Sequence, residues 1–202
     1  GERKVDRPIH KAEFFKELKI GELQKAVELF AHDLDKYARW YELFDEKVSQ
    51  EQLDYAIEMI KKYNFGQRGY GDGTEKEQLT GIIGQTVFAD LIGEERPDGS
   101  TGFDGGKDFV INGKTVDIKT MTRKVPVKDF YVHNFVGYQK EYEVDYYVFA
   151  SYNTTNRILT ICGYISKEEF FQKAKFFSKG SKRMRSDGTS FRTFAPLYEI
   201  QQ

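Results

Sequence analysis

Three residues near one predicted turn have the types and spacing needed for metal-assisted chemistry: Asp108, Asp117 and Lys119. Asn112–Gly113 lies between the two acids and is a strong signal for a two-residue β-hairpin, because both residues tolerate positive φ. Counting back from this turn in antiparallel steps places Asp108 directly opposite Asp117, and Gly106 opposite Lys119. Like charges placed opposite each other are destabilising unless a positive group lies between them. A divalent cation would serve.

The second predicted strand of this hairpin has two different faces. Side chains alternate along a strand, so Asp117 and Lys119 share one face while Val116 and Ile118 point the other way, toward a core. Two carboxylates, the backbone carbonyl of Ile118 and water are ligands that suit Mg²⁺. Lys119 could then hold an attacking water or neutralise charge that develops on phosphorus.

A helix is predicted upstream of the hairpin. Thr74 and Glu77 have the spacing of a capping box, and the apolar residues that follow cover most of the helix circumference, as in a helix buried on more than one side. In helical projection Gln85 falls between Ala89 and Ile92. A polar side chain there needs a partner, which is either the active site or a backbone group.

An Asp, a hairpin and a hydrophobic strand containing Asp-x-Lys resemble the PD-(D/E)XK nuclease superfamily, over roughly residues 75 to 165. The resemblance implies an α/β fold, restriction-endonuclease-like, with a central mixed β-sheet flanked by helices. It also implies a Mg²⁺-dependent DNA endonuclease, of restriction type or a phage or defence nuclease, in which Mn²⁺ substitutes. Asp108, Asp117 and the Ile118 carbonyl would hold the metal, Lys119 would assist the nucleophile, and Gln85 would orient water or metal.

One position departs from the family pattern. Gln85 stands where the family helix usually has Glu, so the site has one negative charge fewer and the number of metal ions stays open. Two other readings remain. The chain could be a catalytically degenerate nuclease fold that acts as a nucleic-acid-binding or assembly module, or an interaction protein that binds a partner through its aromatic-rich N-terminal helices.

Composition limits the other possibilities. The chain has 202 residues and a formal net charge of −1, so any nucleic-acid surface must be local. A single cysteine, Cys162, excludes an internal disulfide, and three scattered histidines lack zinc-ligand spacing. No apolar run has the length of a membrane span and no signal-peptide pattern opens the chain. We therefore expect an intracellular protein without membrane contact. The resemblance implies DNA as partner, and a homodimer if both strands are cut.

The remaining sequence predicts the domain organisation. Residues 9–63 have helical periodicity, which suggests a helical N-terminal section at 1–65 joined by a glycine-rich segment to an α/β core at 75–202. Ser49 is expected to cap the last of these helices. Strands are predicted at 144–152 and 157–165, followed by a helix that begins at Ser166 and extends to about residue 177.

Two groups of basic residues are candidates for contacts with DNA phosphates. Arg123 and Lys124 follow the hairpin strand, and Lys182, Arg183 and Arg185 cluster in a segment at 179–190 that is predicted to be a Gly/Ser-rich loop. The alternative interpretation is a solvated loop without a ligand.

Overall fold

The computed structural model describes residues 44–63, 74–101, 108–111, 113–128, 130–185 and 187–202. Three helices and ten strands are found in these ranges. In chain order they are β1 (Phe44–Lys47), α1 (Gln50–Lys62), α2 (Glu75–Ile92), β2 (Phe109–Ile111), β3 (Lys114–Arg123), β4 (Val132–Val136), β5 (Tyr146–Asn153), β6 (Ile158–Ser166), α3 (Lys167–Lys173), β7 (Lys175–Phe177), β8 (Lys182–Met184), β9 (Ser190–Arg192) and β10 (Leu197–Gln201).

A five-stranded sheet with the order β1-β6-β5-β3-β2 forms the centre of the described fold. β3 and β5 are parallel and all the other neighbours are antiparallel. The predicted α/β class with a central mixed sheet is therefore confirmed. A second, antiparallel sheet has the order β4-β10-β7, and β8 and β9 form a separate hairpin.

Helices α1 and α2 begin where the sequence predicts. The Ser49 hydroxyl accepts from the Gln52 amide and the Gln52 side chain accepts from the Ser49 amide, and Thr74 and Glu77 form the same reciprocal capping box. Helix α2 ends at Ile92 and is capped by Gly93, whose φ of 72° is left-handed and costs glycine little. Among the described residues, no helix has the length and apolar character needed to cross a membrane.

The central sheet is covered on both faces. On one face, apolar residues of α1 and α2 pack against alternate residues of β3, β5 and β6, including Val116, Ile118 and Val148. On the other face, a second cluster joins the remaining residues of β5 to α3 and the second sheet. Its buried members are Phe135, Val144, Tyr147, Phe149, Ile165, Phe170 and Ile200.

Three predictions about local structure are wrong. Phe44–Lys47 is a strand paired with β6 and not part of a helix, because pairing with a sheet edge overrides the local helical pattern. Helix α3 is capped by Ser166 as predicted but ends at Lys173, and β7 follows it. The predicted loop at 179–190 contains the β8–β9 hairpin. The expected helices before residue 44 and the glycine-rich joint at 64–73 lie outside the described residues.

Candidate active site

The β2–β3 hairpin has the register that its turn predicts. Phe109 pairs with Val116 and Ile111 pairs with Lys114, and Gly113 has a φ of 75° as a primed turn requires. Asn112, the other turn residue, lies outside the described residues. The hairpin therefore brings Asp108, at the start of β2, to the middle of β3.

The predicted direct opposition of Asp108 and Asp117 is wrong in detail. The ladder ends at Phe109, and the Asp108 amide donates to the Val116 carbonyl at 3.1 Å, although Val116 already pairs with Phe109. Two consecutive residues thus meet one residue of the partner strand, which is the arrangement of a β-bulge. Gly106, expected opposite Lys119, lies outside the described residues.

The Asp108 carboxylate binds the backbone of β3. Its Oδ2 accepts a hydrogen bond from the Ile118 amide at 2.8 Å. If β2 began earlier, a backbone carbonyl of that strand would accept this hydrogen bond instead. The amide and carbonyl of one strand residue point to the same side of the strand. The Ile118 carbonyl therefore points to the side on which the Asp108 carboxylate lies.

Asp117 and Lys119 form an ion pair on the face of β3 that is opposite to α1 and α2. Lys119 Nζ lies 2.7 Å from Asp117 Oδ2, and the two side chains are 21% and 6% exposed. The ammonium also faces the Phe135 ring, 5.5 Å from its centroid. The predicted shared face of Asp117 and Lys119 is thus confirmed, and the positive group that the sequence requires beside Asp117 is Lys119 itself.

Tyr147 is a neighbour of this ion pair that the sequence analysis missed. It pairs with Asp117 in the parallel β3–β5 register, and its side chain is buried. Its hydroxyl has no hydrogen-bond partner among the described residues. Burial, together with the charge of Asp117, raises the pKa of Tyr147. Neighbours across a parallel pair cannot be assigned from sequence, because no tight turn fixes their register.

Helix α2 approaches the other face of β3 very closely. The hydroxyls of Thr80 and Thr122 are 2.7 Å apart, and a Cβ at Gly84 would lie 1.9 Å from the Thr120 Oγ1. Glycine at position 84 therefore permits the contact between helix and strand.

Gln85 lies on the flank of α2 that faces β2. At about 100° per residue it is one step round the helix from Gly84 and about 60° from Phe88. The Phe88 ring contacts the Phe109 ring, with centroids 5.2 Å apart, so this flank is directed toward the start of β2, where Asp108 lies. The Gln85 side chain is half-buried and has no hydrogen bond to another described residue. The helix thus brings Gln85 to the Asp108 side of β3, while Asp117 and Lys119 project from the opposite face.

The basic residues after the hairpin differ in their surroundings. Arg123 donates to the Val132 carbonyl at 2.7 Å and stacks on Tyr131 at 4.3 Å, and burial lowers the pKa of its guanidinium. Lys124 is exposed. Of this pair, only Lys124 presents its charge to solvent.

The basic β8–β9 hairpin is divided in the same way. The Arg183 guanidinium binds the Glu199 carboxylate at 3.2 and 2.5 Å and lies 3.8 Å from the centroid of the Phe177 ring. Lys182 and Arg185 are exposed, and Arg185 lies over the Phe191 ring at 4.6 Å. Arg183 therefore joins the hairpin to the second sheet, and its two neighbours remain candidates for phosphate contacts.

The donor atoms at the start of β2 and in the middle of β3 fit one magnesium ion in type. They are the carboxylates of Asp108 and Asp117 and the carbonyl of Ile118, all hard oxygen ligands, and Mg²⁺ usually keeps several waters besides its protein ligands. Within the described ranges, no group of three or more His, Cys, Asp or Glu side chains could hold a metal.

Comparison with known proteins gives no match: no family model fits the chain, and no curated protein and no solved structure is significantly similar to it.

Proposed function

We propose that this chain is a Mg²⁺-dependent deoxyribonuclease of the restriction-endonuclease-like fold, an endonuclease that hydrolyses phosphodiester bonds in DNA. The observation that supports this best is the Asp117–Lys119 ion pair on β3, one residue to either side of the Ile118 amide that binds the Asp108 carboxylate. The hairpin thus brings the three chemically distinctive side chains to one stretch of β3. The mixed sheet with α1 and α2 on one face agrees with the proposed fold.

We assign a role to each residue of the candidate site. Asp108 and Asp117, with the Ile118 carbonyl, would hold the metal, which when bound would neutralise phosphate charge and lower the pKa of water. Lys119 would donate to the water that attacks phosphorus or to a phosphate oxygen, and release from Asp117 would free its ammonium. Gln85 would orient water or metal through its amide oxygen.

The test is cleavage of plasmid and labelled oligonucleotides by the full chain with Mg²⁺, Mn²⁺ or EDTA. We expect cleavage with either metal, none in EDTA, and a loss of at least about 100-fold in Asp108→Asn and Asp117→Asn. Asp54→Asn on α1 is the matched control, since this exposed carboxylate lies on a different element and, among the described residues, accepts a side-chain hydrogen bond from Gln50 alone. Equal cleavage by Asp117→Asn and the parent would refute the proposal. Nicked or linear plasmid would report cutting of one strand or both.

One second candidate has specific support: a degenerate nuclease fold that binds nucleic acid or assembles with partners. Gln85 adds no charge, and Lys119 already neutralises Asp117 without a metal. Calorimetric titration with Mn²⁺ separates the two candidates, because an active site should bind metal and a degenerate one should not. In Gln85→Glu a carboxylate beside Asp108 should tighten metal binding if Gln85 faces the site. Unchanged affinity in Gln85→Glu would remove Gln85 from the site.

A further inference from the structure

An aromatic row crosses the second sheet. Phe135 of β4, Tyr198 of β10 and Phe176 of β7 are direct cross-strand neighbours, with ring centroids 6.4 Å apart for the first pair and 5.0 Å for the second. Directly opposed side chains lie on the same face of a sheet. The three rings therefore form one continuous row.

The row extends from the candidate site to the protein surface. At its inner end Phe135 is 1% exposed and faces the Lys119 ammonium at 5.5 Å. At its outer end Phe176 lies on the edge strand β7 and is 53% exposed. An exposed phenylalanine on a sheet edge is costly to solvate, and this one is continuous with the residues proposed for catalysis.

One cation borders the middle of the row. Lys140 lies 4.8 Å from the centroid of Phe171, an α3 residue that packs against Tyr198, and 5.7 Å from that of Tyr198. Lys167 is held beside Lys140, since its Nζ donates to the Lys140 carbonyl at 2.7 Å. Lys140 therefore places a positive group beside rings that are half-buried and partly open to solvent, whereas the Lys167 ammonium is held by the carbonyls of Lys140 and Tyr142.

Two of the acids near the row are paired with cations, and Glu141 and Glu143, close to Lys140 in the chain, are exposed. Glu199 follows Tyr198 in the strand, so it points to the opposite face, where Arg183 binds it. Glu169 of α3 is ion-paired with Lys173. Glu168, one helical turn before Phe171, is the acid of this flank of α3 and is exposed.

We infer that the solvent-accessible outer part of this aromatic row, Phe176 and Tyr198, binds single-stranded DNA together with Lys140. The inference rests on the proposed nuclease function and names unpaired strands as the substrate class. Bases stack on aromatic rings whatever their sequence, while cations contact the phosphates. A duplex keeps its base faces covered by its own stacking, so a row of rings discriminates in favour of unpaired strands. The flanking Lys140 favours a nucleic acid over an apolar protein partner.

The experiment measures binding of the full chain to a fluorescein-labelled single strand and to its duplex, by anisotropy in EDTA buffer. Phe176→Ala should weaken binding of the single strand about 5- to 150-fold, the range for loss of one stacked base, and leave duplex binding unchanged. Phe176→Tyr should bind like the parent because it keeps the ring. Phe194→Ala is the matched control, since Phe194 is 68% exposed and is not part of the row. We expect it to bind as the parent does.

Three results would overturn the inference. The first is that Phe176→Ala and the parent bind the single strand equally well. The second is that Phe176→Ala weakens binding of the single strand and of the duplex by the same factor. The third is that Phe176→Ala changes the oligomeric state and leaves DNA affinity unchanged, which would assign the row to a second copy of the chain. Because these measurements need no cleavage, they are independent of the nuclease test. Stacking on Phe176 without any cleavage would refute the nuclease alone, whereas cleavage without stacking would refute this inference alone.

Discussion

The two faces of β3 are both covered by protein, yet they differ in what they bury. The face toward α2 presents Val116, Ile118 and two threonines to a helix that approaches closely at Gly84. The face toward the second sheet presents Asp117 and Lys119 to the aromatic side chains of β4 and β5. One strand is thus held by apolar packing on one side and has an ion pair on the other.

This difference indicates how the molecule separates stability from chemistry. Apolar burial against α2 stabilises the strand, whereas burial of charged or polar groups costs free energy unless each group is paired. On the second-sheet side the structure buries Asp117, Tyr147 and His133, and the pKa values of Tyr147 and His133 are shifted by that burial. Groups of this kind concentrate at functional sites. Four predictions test the comparison.

The largest expected effect is on the charged face. Asp117→Asn should lower the free energy of unfolding in metal-free buffer by about 3 kcal/mol, because it leaves the largely buried Lys119 ammonium without its partner. The double variant Asp117→Asn with Lys119→Met should recover most of the loss. Urea unfolding measures both.

The sequence alone suggests that Asp117→Asn raises the free energy of unfolding, because the substitution relieves repulsion between two acids. A variant Asp117→Asn as stable as the parent, or more stable, would therefore show that repulsion from Asp108 outweighs the ion pair. Asp108→Asn is the useful comparison, because it keeps a side-chain oxygen that can accept from the Ile118 amide.

The helix face should respond to volume and not to charge. Gly84→Ala places a methyl group 1.9 Å from the Thr120 Oγ1 and 3.0 Å from its Cβ, so we expect a loss of about 2 kcal/mol. Gly81→Ala, one turn earlier in α2, meets nothing within 4 Å and should stabilise by about 0.5–1 kcal/mol. Adding Thr120→Ala should relieve the clash. If Gly84→Ala melts like Gly81→Ala, the close approach of α2 to β3 does not exist.

The parts of the fold that the sequence predicted are those specified locally. The turn at Asn112–Gly113 fixed the register of β2 and β3, and the Thr74 capping box fixed the start of α2. Strand β1 was missed because its partner β6 lies more than a hundred residues away and specifies it by pairing. The bulge at Asp108 was missed because its carboxylate replaces a carbonyl of the ladder.

The basic residues show the same limit in the candidate site. The sequence shows the positive charge of Arg183 but not Glu199, sixteen residues later, which binds it across the β8–β9 hairpin and the second sheet. Likewise, Arg123 was expected at the DNA surface and instead donates to the Val132 carbonyl. The charge of a residue can be read from the sequence, but the group that it binds depends on tertiary contacts.

A smaller effect concerns pH on the second-sheet side. Burial, with a contribution from the charge of Arg123, lowers the pKa of His133 to about 4 despite a 2.8 Å contact with the Gln202 amide. The unfolded chain takes up this proton near pH 6.5 and the folded chain only near pH 4, so stability falls as the pH falls through that window.

Between pH 7 and 5.5, before most carboxylates titrate, this histidine should cost the parent about 1 kcal/mol of its free energy of unfolding. His133→Gln removes the titrating group, so the free energy of unfolding of this variant should fall by about 1 kcal/mol less than that of the parent over the same interval. Urea unfolding at the two pH values makes the comparison. Identical pH dependence in parent and variant would mean that His133 is open to solvent protons in the folded state.

The smallest expected effect concerns Tyr147, where the contribution of the buried hydroxyl can be separated from that of the buried ring. Tyr147 packs its ring against Phe135 and Phe170, with centroids 4.9 and 5.4 Å away, and buries a hydroxyl that has no partner among the described residues. Tyr147→Phe keeps the ring and removes the desolvated hydroxyl, so the free energy of unfolding should rise by about 1 kcal/mol. Tyr152→Phe, on the helix face of the same strand, is the matched control and should change it little. A loss of stability in Tyr147→Phe would show that the hydroxyl has a hydrogen-bond partner, of which the carboxylate of neighbouring Asp117 is the first to test, and would make Tyr147 part of the charged face.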